Sequence, residues 1–174
     1  MSIISFFSIL LGAIFGSFIN AVVWRLPRCQ SIIKPRSYCT KCKKQIKWYQ
    51  NIPIFSWLLL KGRCDFCSER IPSRYFFIEV LSSISFLVSI QSNPSSFEAL
   101  PNLIVIIFGW ILIILLLIIS FIDIEHLWIP PSICFLGILN GLLLLTISSL
   151  ITYPEFNTSI LIDHLFGSLI GYLI

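Results

Sequence analysis

The stretch LIVIIFGWILIILLLIISFI (residues 103–122) contains no Asp, Glu, Lys, Arg or His. A helix of this length crosses the ~30 Å hydrocarbon core of a bilayer. Residues 3–24 and 129–151 are equally uncharged, residues 75–90 form a shorter run with one acid, and a further apolar run begins at residue 160. With 57% hydrophobic and 11% charged residues, the chain is too apolar for an ordinary soluble domain. We therefore predict an all-α polytopic membrane protein with four complete transmembrane helices and a truncated fifth.

The positive charges predict how the chain is oriented. All twelve Lys and Arg residues lie between Arg25 and Arg74, in the long loop after the first helix. By the positive-inside rule this loop is cytoplasmic and the N-terminus lies outside the inner membrane of a bacterial cell. The net charge of +4 is then a signal of topology, and we predict no nucleic-acid partner. The predicted regions are transmembrane helix 1 (1–24), a cytoplasmic loop (25–74) and a helical membrane region (75–174).

Two Cys-x-x-Cys pairs stand inside this loop. Cys39 and Cys42 form the first pair, 21 residues follow, and Cys64 and Cys67 form the second. Four thiolates presented by two tight turns suit a tetrahedral zinc ion, and they leave no coordination position open for a substrate. We predict a structural zinc ribbon. Two disulfides, or a redox role for one pair, are the alternatives, and the reducing cytoplasm disfavours the disulfides.

The segment between the two cysteine pairs, NIPIFSWLLLKG (residues 51–62), is mostly apolar but too short to span a bilayer. Trp48 and Tyr49 precede it, and aromatic rings are favoured at the membrane interface. We expect this segment to pack the loop down onto the membrane surface.

The first helix carries a stripe of small and weakly polar residues at intervals of four positions: Ser8, Gly12, Gly16 and Asn20. Such stripes usually allow two transmembrane helices to approach closely. We predict that this stripe is a helix-packing surface.

Three titratable side chains, Asp123, Glu125 and His126, follow the long apolar stretch directly. With the predicted orientation they emerge on the cytoplasmic face. Hydrolysis of a peptide by two carboxylates requires both acids in one site, one as a base on water and one as an acid. Asp123 and Glu125 are two positions apart, so on a helix they do not face each other. Glu125 and His126 are therefore interpreted as boundary markers.

Glu79 lies about one turn inside the second predicted helix. A carboxylate within the membrane is a functional candidate by default. Glu79 is thus a candidate for catalytic support of Asp123, although it could instead reach back to Arg74 or Arg70.

Taken together, four segments carry a resemblance to a known family: GSFINAVVWRLP (16–27), the two cysteine pairs with NIP between them, RYFFIE (74–79) and IDIEHLWIP (122–130). The chain resembles the type IV prepilin leader peptidases, which are membrane aspartic peptidases of pilus and type II secretion systems. The resemblance implies cleavage of the short basic leader of prepilins or pseudopilins on the cytoplasmic face. It also implies N-methylation of the new N-terminus with S-adenosylmethionine. By motif, Asp123 corresponds to the first catalytic aspartate of the family.

One departure from the family bears on activity. The resemblance implies a second catalytic aspartate in a Gly-x-Gly-Asp motif, and the sequence contains no such motif. The expectation is therefore a C-terminally truncated or degenerate copy. The alternative function is a catalytically inactive membrane scaffold that binds pilin leaders or assembly proteins.

Overall fold

The structure, a computed structural model, describes residues 3–34, 36–92 and 100–152, with side chains for all of these except 100–102 and 148–152. Five α-helices lie in this part of the chain: α1 (Ile3–Arg25), α2 (Phe55–Leu59), α3 (Arg74–Gln91), α4 (Leu100–His126) and α5 (Pro131–Thr152). Two 3-10 helices, Leu26–Arg28 and Trp48–Asn51, lie in the loop between α1 and α3. We call residues 25–74 the cysteine loop.

Three helical segments are long and apolar enough to cross a membrane: Ile3–Arg28, Arg74–Gln91 and Leu103–His126. The apolar helix Pro131–Ile147 is shorter. The helical class is therefore confirmed for the described residues, and the count of four complete spans stays a prediction. The fifth apolar run lies outside the described residues, and the predicted division of the chain at residues 24/25 and 74/75 also stays a prediction.

Helices α1 and α3 form the closest helix pair. A Cβ atom added to Gly12 would lie 2.6 Å from Cα of Ser83, and one added to Gly16 would lie 2.6 Å from Cα of Glu79. The hydroxyl of Ser82 donates a hydrogen bond of 2.6 Å to the carbonyl of Gly12. Since the glycines bring the two backbones into contact, the small stripe on α1 is confirmed as a packing surface.

Helix α4 joins its neighbours through aromatic stacking and isolated hydrogen bonds. The ring of Trp110 stacks on Phe86 of α3 at a centroid distance of 4.7 Å, and its Nε1–H donates to Ser89 Oγ at 2.7 Å. On the other side, Asn140 Nδ2 of α5 donates to the carbonyl of Phe108 at 3.1 Å. In an apolar environment such bonds hold helices together where large side chains keep the backbones apart.

All four long helices converge on one apolar core at the end that carries the cysteine loop, which we call the loop end. Its buried members are Ile19, Val22, Val23, Ile78, Ile118, Ile122 and Ile133. The C-terminal ends of α1 and α4 and the N-terminal ends of α3 and α5 therefore meet above this core. This arrangement puts the cysteine loop and the acids that follow residue 122 at the same end of the helices.

Candidate metal centre and neighbouring acids

The four cysteines predicted to bind zinc come together in the structure. The thiol sulfurs of Cys39, Cys42, Cys64 and Cys67 all lie within 4.8 Å of one another, and those of Cys39 and Cys67 are 3.8 Å apart. A tetrahedral zinc ion with Zn–S bonds of about 2.3 Å places its sulfurs about 3.8 Å apart. The donor set therefore fits zinc, and the described cysteines form no disulfide.

Each cysteine pair lies in a turn of the same design. In the first turn, the amide of Cys39 donates to the carbonyl of Lys44 at 3.0 Å, and the amide of Lys43 donates to the carbonyl of Cys39 at 2.9 Å. The second turn repeats both bonds at the same offsets from Cys64. The fifth residue of each turn, Lys43 or Ser68, has a positive φ, of 59° and 55° respectively. The repeated geometry explains why both pairs direct their thiols to one point.

The acidity of the thiols differs within the cluster. Burial raises the pKa of the Cys39 thiol, but hydrogen bonds from the backbone of Cys42 and Lys41 and from neighbouring thiols outweigh it, so the pKa is lowered to about 7. For Cys67 a backbone hydrogen bond at Glu69 lowers the pKa, whereas burial and the three other thiols raise it to about 11. One thiolate therefore forms near neutral pH. A bound cation would be needed to deprotonate Cys67 there.

Glu79 connects the cysteine loop to the membrane helices. Its side chain is buried, and its Oε2 accepts a hydrogen bond of 2.6 Å from the backbone N–H of Ile54. The side chain of Ser17 on α1 is a second hydrogen-bond partner. The alternative pairing of Glu79 with Arg74 or Arg70 is wrong, because the carboxylate binds this backbone amide and serine instead.

Arg74 pairs with a different acid. Its guanidinium forms an ion pair with Glu125, which joins the start of α3 to the end of α4. His126 Nε2 lies 3.9 Å from the second oxygen of the Glu125 carboxylate. Glu125, interpreted from the sequence as a boundary marker, is therefore also a link between two helices.

Asp123 is exposed at the loop end of α4. Among residues 3–34, 36–92 and 100–152, no side chain forms an ion pair or hydrogen bond with its carboxylate. The next residue toward the membrane, Ile122, is fully buried in the core described above. Asp123 is thus fixed at the end of a rigid helix while its carboxylate stays accessible.

A cavity of about 200 Å³ separates the cysteine loop from α1 and α3. Its walls include Trp24, Tyr38, Cys39, Cys64, Tyr75 and Glu79, and Asp123 does not line it. The structure therefore brings Glu79 together with the cysteine loop but not with Asp123. Ser17 and Ile54 are the hydrogen-bond partners of Glu79. The sequence does not identify them, because no local pattern marks either residue.

These features define a class of protein: a polytopic helical membrane protein with a cluster of four cysteines that could hold a metal ion and an exposed acid at one end. Residues 10–92 match the family model of the Bacterial Peptidase A24 N-terminal domain. These residues belong to the family of that domain, and most of the chain is similar to proteins named prepilin leader peptidase/N-methyltransferase.

Three relatives show the extent of the similarity. The chain is 35% identical over 167 residues to a prepilin leader peptidase/N-methyltransferase of Myxococcus xanthus, covering 96% of this chain and 45% of that protein. It is 36% identical to a type 4 prepilin-like proteins leader peptide-processing enzyme of Escherichia coli (68% of this chain, 48% of the relative). It is 32% identical to a prepilin leader peptidase/N-methyltransferase of Neisseria gonorrhoeae (76% and 54%). The chain thus spans about half the length of these relatives. No solved structure matches it significantly.

Proposed function

We propose that this chain takes part in removing the basic leader from type IV prepilins or pseudopilins, with Asp123 as one of two catalytic carboxylates. The observation that carries the proposal is the accessible carboxylate of Asp123 at the loop end, in a chain whose relatives are named for this reaction. An acid that must activate water or protonate a peptide carbonyl needs such an accessible and rigidly held position.

The second carboxylate is proposed to come from outside the described residues. Glu125 pairs with Arg74, and Glu79 holds the amide of Ile54 in a cavity that Asp123 does not line. Neither acid is therefore placed to share a substrate with Asp123. Two carboxylates that divide the proton transfers must meet at one peptide bond.

The proposed orientation places the cysteine loop in the cytoplasm and the N-terminus outside the inner membrane. The concentration of all twelve Lys and Arg residues in this loop supports it. A cysteine introduced at Lys41 should then escape an impermeant thiol reagent added to intact cells and react after permeabilisation. Its labelling in intact cells would contradict the orientation.

Zinc is proposed to hold the cysteine loop in its fold. Cys39, Cys42, Cys64 and Cys67 would bind it, and four thiolates fill a tetrahedral coordination sphere. The metal would therefore supply structure, since no open position is left for water or substrate. The hydrogen bonds of the two turns orient the four thiols toward one point.

The relatives are also named N-methyltransferases, so S-adenosylmethionine is the proposed methyl donor. We propose the cavity beside the cysteine cluster as the binding site of this cosubstrate. Its walls carry the rings of Trp24, Tyr38 and Tyr75 and the carboxylate of Glu79. Aromatic faces and carboxylates attract a sulfonium cation, and the rings offer stacking surfaces for adenine.

A membrane scaffold that binds leaders without cleaving them is the second candidate. One observation favours the scaffold: among the described residues, no second acid is placed to share a substrate with Asp123. The two candidates differ in one respect, which is whether Asp123 is needed for leader removal when a second carboxylate is supplied.

A chimera provides that test. Residues 1–174 would be joined to the C-terminal part of the Myxococcus xanthus relative, of which this chain covers 45%. We expect the chimera to remove the leader from a prepilin in detergent, and Asp123→Asn to lower the rate by several orders of magnitude, because one carboxylate cannot perform both proton transfers.

Glu125→Gln is the matched control in this chimera, because it removes an acid two positions away that contacts Arg74 instead of substrate. It should retain most of the activity. A folded chimera that binds leader peptide but never cleaves it would favour the scaffold, and equal activity of Asp123→Asn and its parent would refute the role of Asp123.

A further inference from the structure

The short helix α2 has two different faces. On the inner face Ser56 is buried, and its hydroxyl donates to the carbonyl of Tyr49 at 3.0 Å. The ring of Trp57 packs against Phe76 of α3 at a centroid distance of 5.1 Å. The outer face consists of large apolar side chains exposed by 65%, 52% and 81%: Phe55, Leu58 and Leu59. A soluble loop rarely keeps three such neighbours in water.

The contacts of α2 place it beside the membrane helices and not above their ends. Ile54 binds Glu79, and Trp57 packs on Phe76, so both contacts fall on the first two turns of α3. Glu79 follows Arg74 by five residues, which is about 7 Å along a helix. Because the interfacial layer of a bilayer is about 5–8 Å thick on each side, α2 lies at the level of that layer.

A strained turn at Ile54 holds α2 at this depth in the membrane interface. Ile54 has φ of 65° and ψ of −57°, and the amide of Phe55 donates to the carbonyl of Pro53 at 2.7 Å. This is the γ-turn with positive φ, which is rare, and a β-branched residue there is a backbone outlier. The turn directs the N–H of Ile54 to the buried carboxylate of Glu79. Glu79 therefore stabilises a conformation that the local sequence disfavours.

The charge of the surrounding loop favours a lipid surface as the occupant. Residues 25–74 carry twelve Lys and Arg residues and only two acids, Asp65 and Glu69. Basic residues beside an apolar, aromatic face are the combination that binds the interface of an anionic membrane.

We propose that α2 is an interfacial element whose outer face, Phe55, Leu58 and Leu59, contacts the lipid of the bilayer that α1, α3 and α4 cross. Glu79 is the positioning residue that seats it there by accepting the amide of Ile54. The inference concerns how the cysteine loop is docked and does not depend on the proposed peptidase activity.

Spin labelling tests the location. A nitroxide attached through p-acetylphenylalanine, which leaves the cysteines untouched, would replace Leu59 in one variant and Lys41, another exposed position, in a second. In nanodiscs that contain anionic lipid, we expect collisions with oxygen to exceed those with a water-soluble nickel complex for the label at position 59. For the label at position 41, collisions with the nickel complex should exceed those with oxygen.

Equal exposure of both labels to the nickel complex would overturn the proposal and leave the outer face of α2 free for a protein partner. A label at position 59 that is shielded from both oxygen and nickel would also overturn it, since it would indicate burial in protein.

Variants of Glu79 test whether this residue positions α2 in the interface. Glu79→Leu removes the acceptor, and we expect the label at position 59 to become at least several-fold more accessible to the nickel complex. Glu79→Gln retains an acceptor oxygen and should keep the label in the interface. If Glu79→Leu leaves the accessibility unchanged while its circular dichroism matches that of the parent, Glu79 does not seat α2.

Discussion

The helix pair α1–α3 and the cysteine loop are each stabilised by a different kind of interaction. In the helix pair, Gly12 and Gly16 let two backbones touch, and a hydroxyl of one helix binds a carbonyl of the other. In its described residues the cysteine loop has α2, two 3-10 helices and two isolated β-bridges, and many of its apolar side chains are exposed. Its order depends on two turns that converge on one cluster of thiols.

The two regions should therefore lose their structure independently. A small unit without a core of its own gains its folding free energy from metal binding. A helix pair in a membrane depends on close van der Waals contact and is indifferent to the metal. Changes to the cluster should loosen the loop and spare the helices, and changes to the glycines should separate the helices without removing the metal.

The largest expected effect comes from removing one cysteine pair. Cys39→Ser with Cys42→Ser should abolish zinc binding, because two thiolates cannot complete the tetrahedral site. Metal analysis should find one zinc per chain in the parent and none in the variant. Trypsin should then cut the cysteine loop rapidly, while circular dichroism shows the helices intact.

The control for this experiment is Cys29→Ser with Cys134→Ser, since both thiols lie outside the cluster. That variant should keep its zinc. Freshly purified parent protein without zinc, and with its thiols oxidised in pairs, would favour the two disulfides over the metal centre.

Acidification should release the metal. The pKa of Cys39 is lowered from 9.0 to about 7, so its thiolate favours the folded loop fully above pH about 9, and this contribution is lost as the pH falls to about 7. Zinc binding also releases protons. We expect zinc affinity to fall steeply below pH about 7, as measured by competition with a chelator. A pH-independent affinity between pH 8 and about 6 would contradict thiolate ligation.

A smaller effect is expected from filling the contact between α1 and α3. In Gly16→Ala the added methyl would lie 2.6 Å from Cα of Glu79, so the helices must separate. We expect a loss of about 1–3 kcal/mol in the free energy of unfolding. Gly109→Ala is the matched control, because its added Cβ has no neighbour within 4 Å. Thermal unfolding in detergent should rank the control at or above the parent, and equal losses in both variants would contradict the close contact.

The smallest effect concerns the ion pair between α3 and α4. Arg74→Gln should cost less than about 1 kcal/mol, because both side chains of the Arg74–Glu125 pair are partly exposed. The exchanged pair Arg74→Glu with Glu125→Arg should recover part of that loss in the same unfolding measurement. No recovery would indicate that Arg74 acts through its stacking on Tyr75 and not through Glu125.

Much of this architecture could be predicted from the sequence, because its signals are local. Apolar runs predicted the positions of α1, α3, α4 and α5, and the spacing of the cysteines predicted the cluster. The conformation of Ile54 could not be predicted, since a β-branched residue disfavours positive φ and only Glu79, 25 positions away, compensates it. The pairing of Arg74 with Glu125 could not be predicted either, because each charge taken alone is typical of the end of a transmembrane helix.

The decisive experiment incubates purified residues 1–174 with a prepilin in detergent. We expect the leader to be bound and any removal of it to be unaffected by Glu79→Gln, because Glu79 holds the amide of Ile54 in a cavity that Asp123 does not line. The contradicting result is leader removal that is lost in both Asp123→Asn and Glu79→Gln, since Glu79 would then be the second catalytic acid and not the residue that seats the cysteine loop.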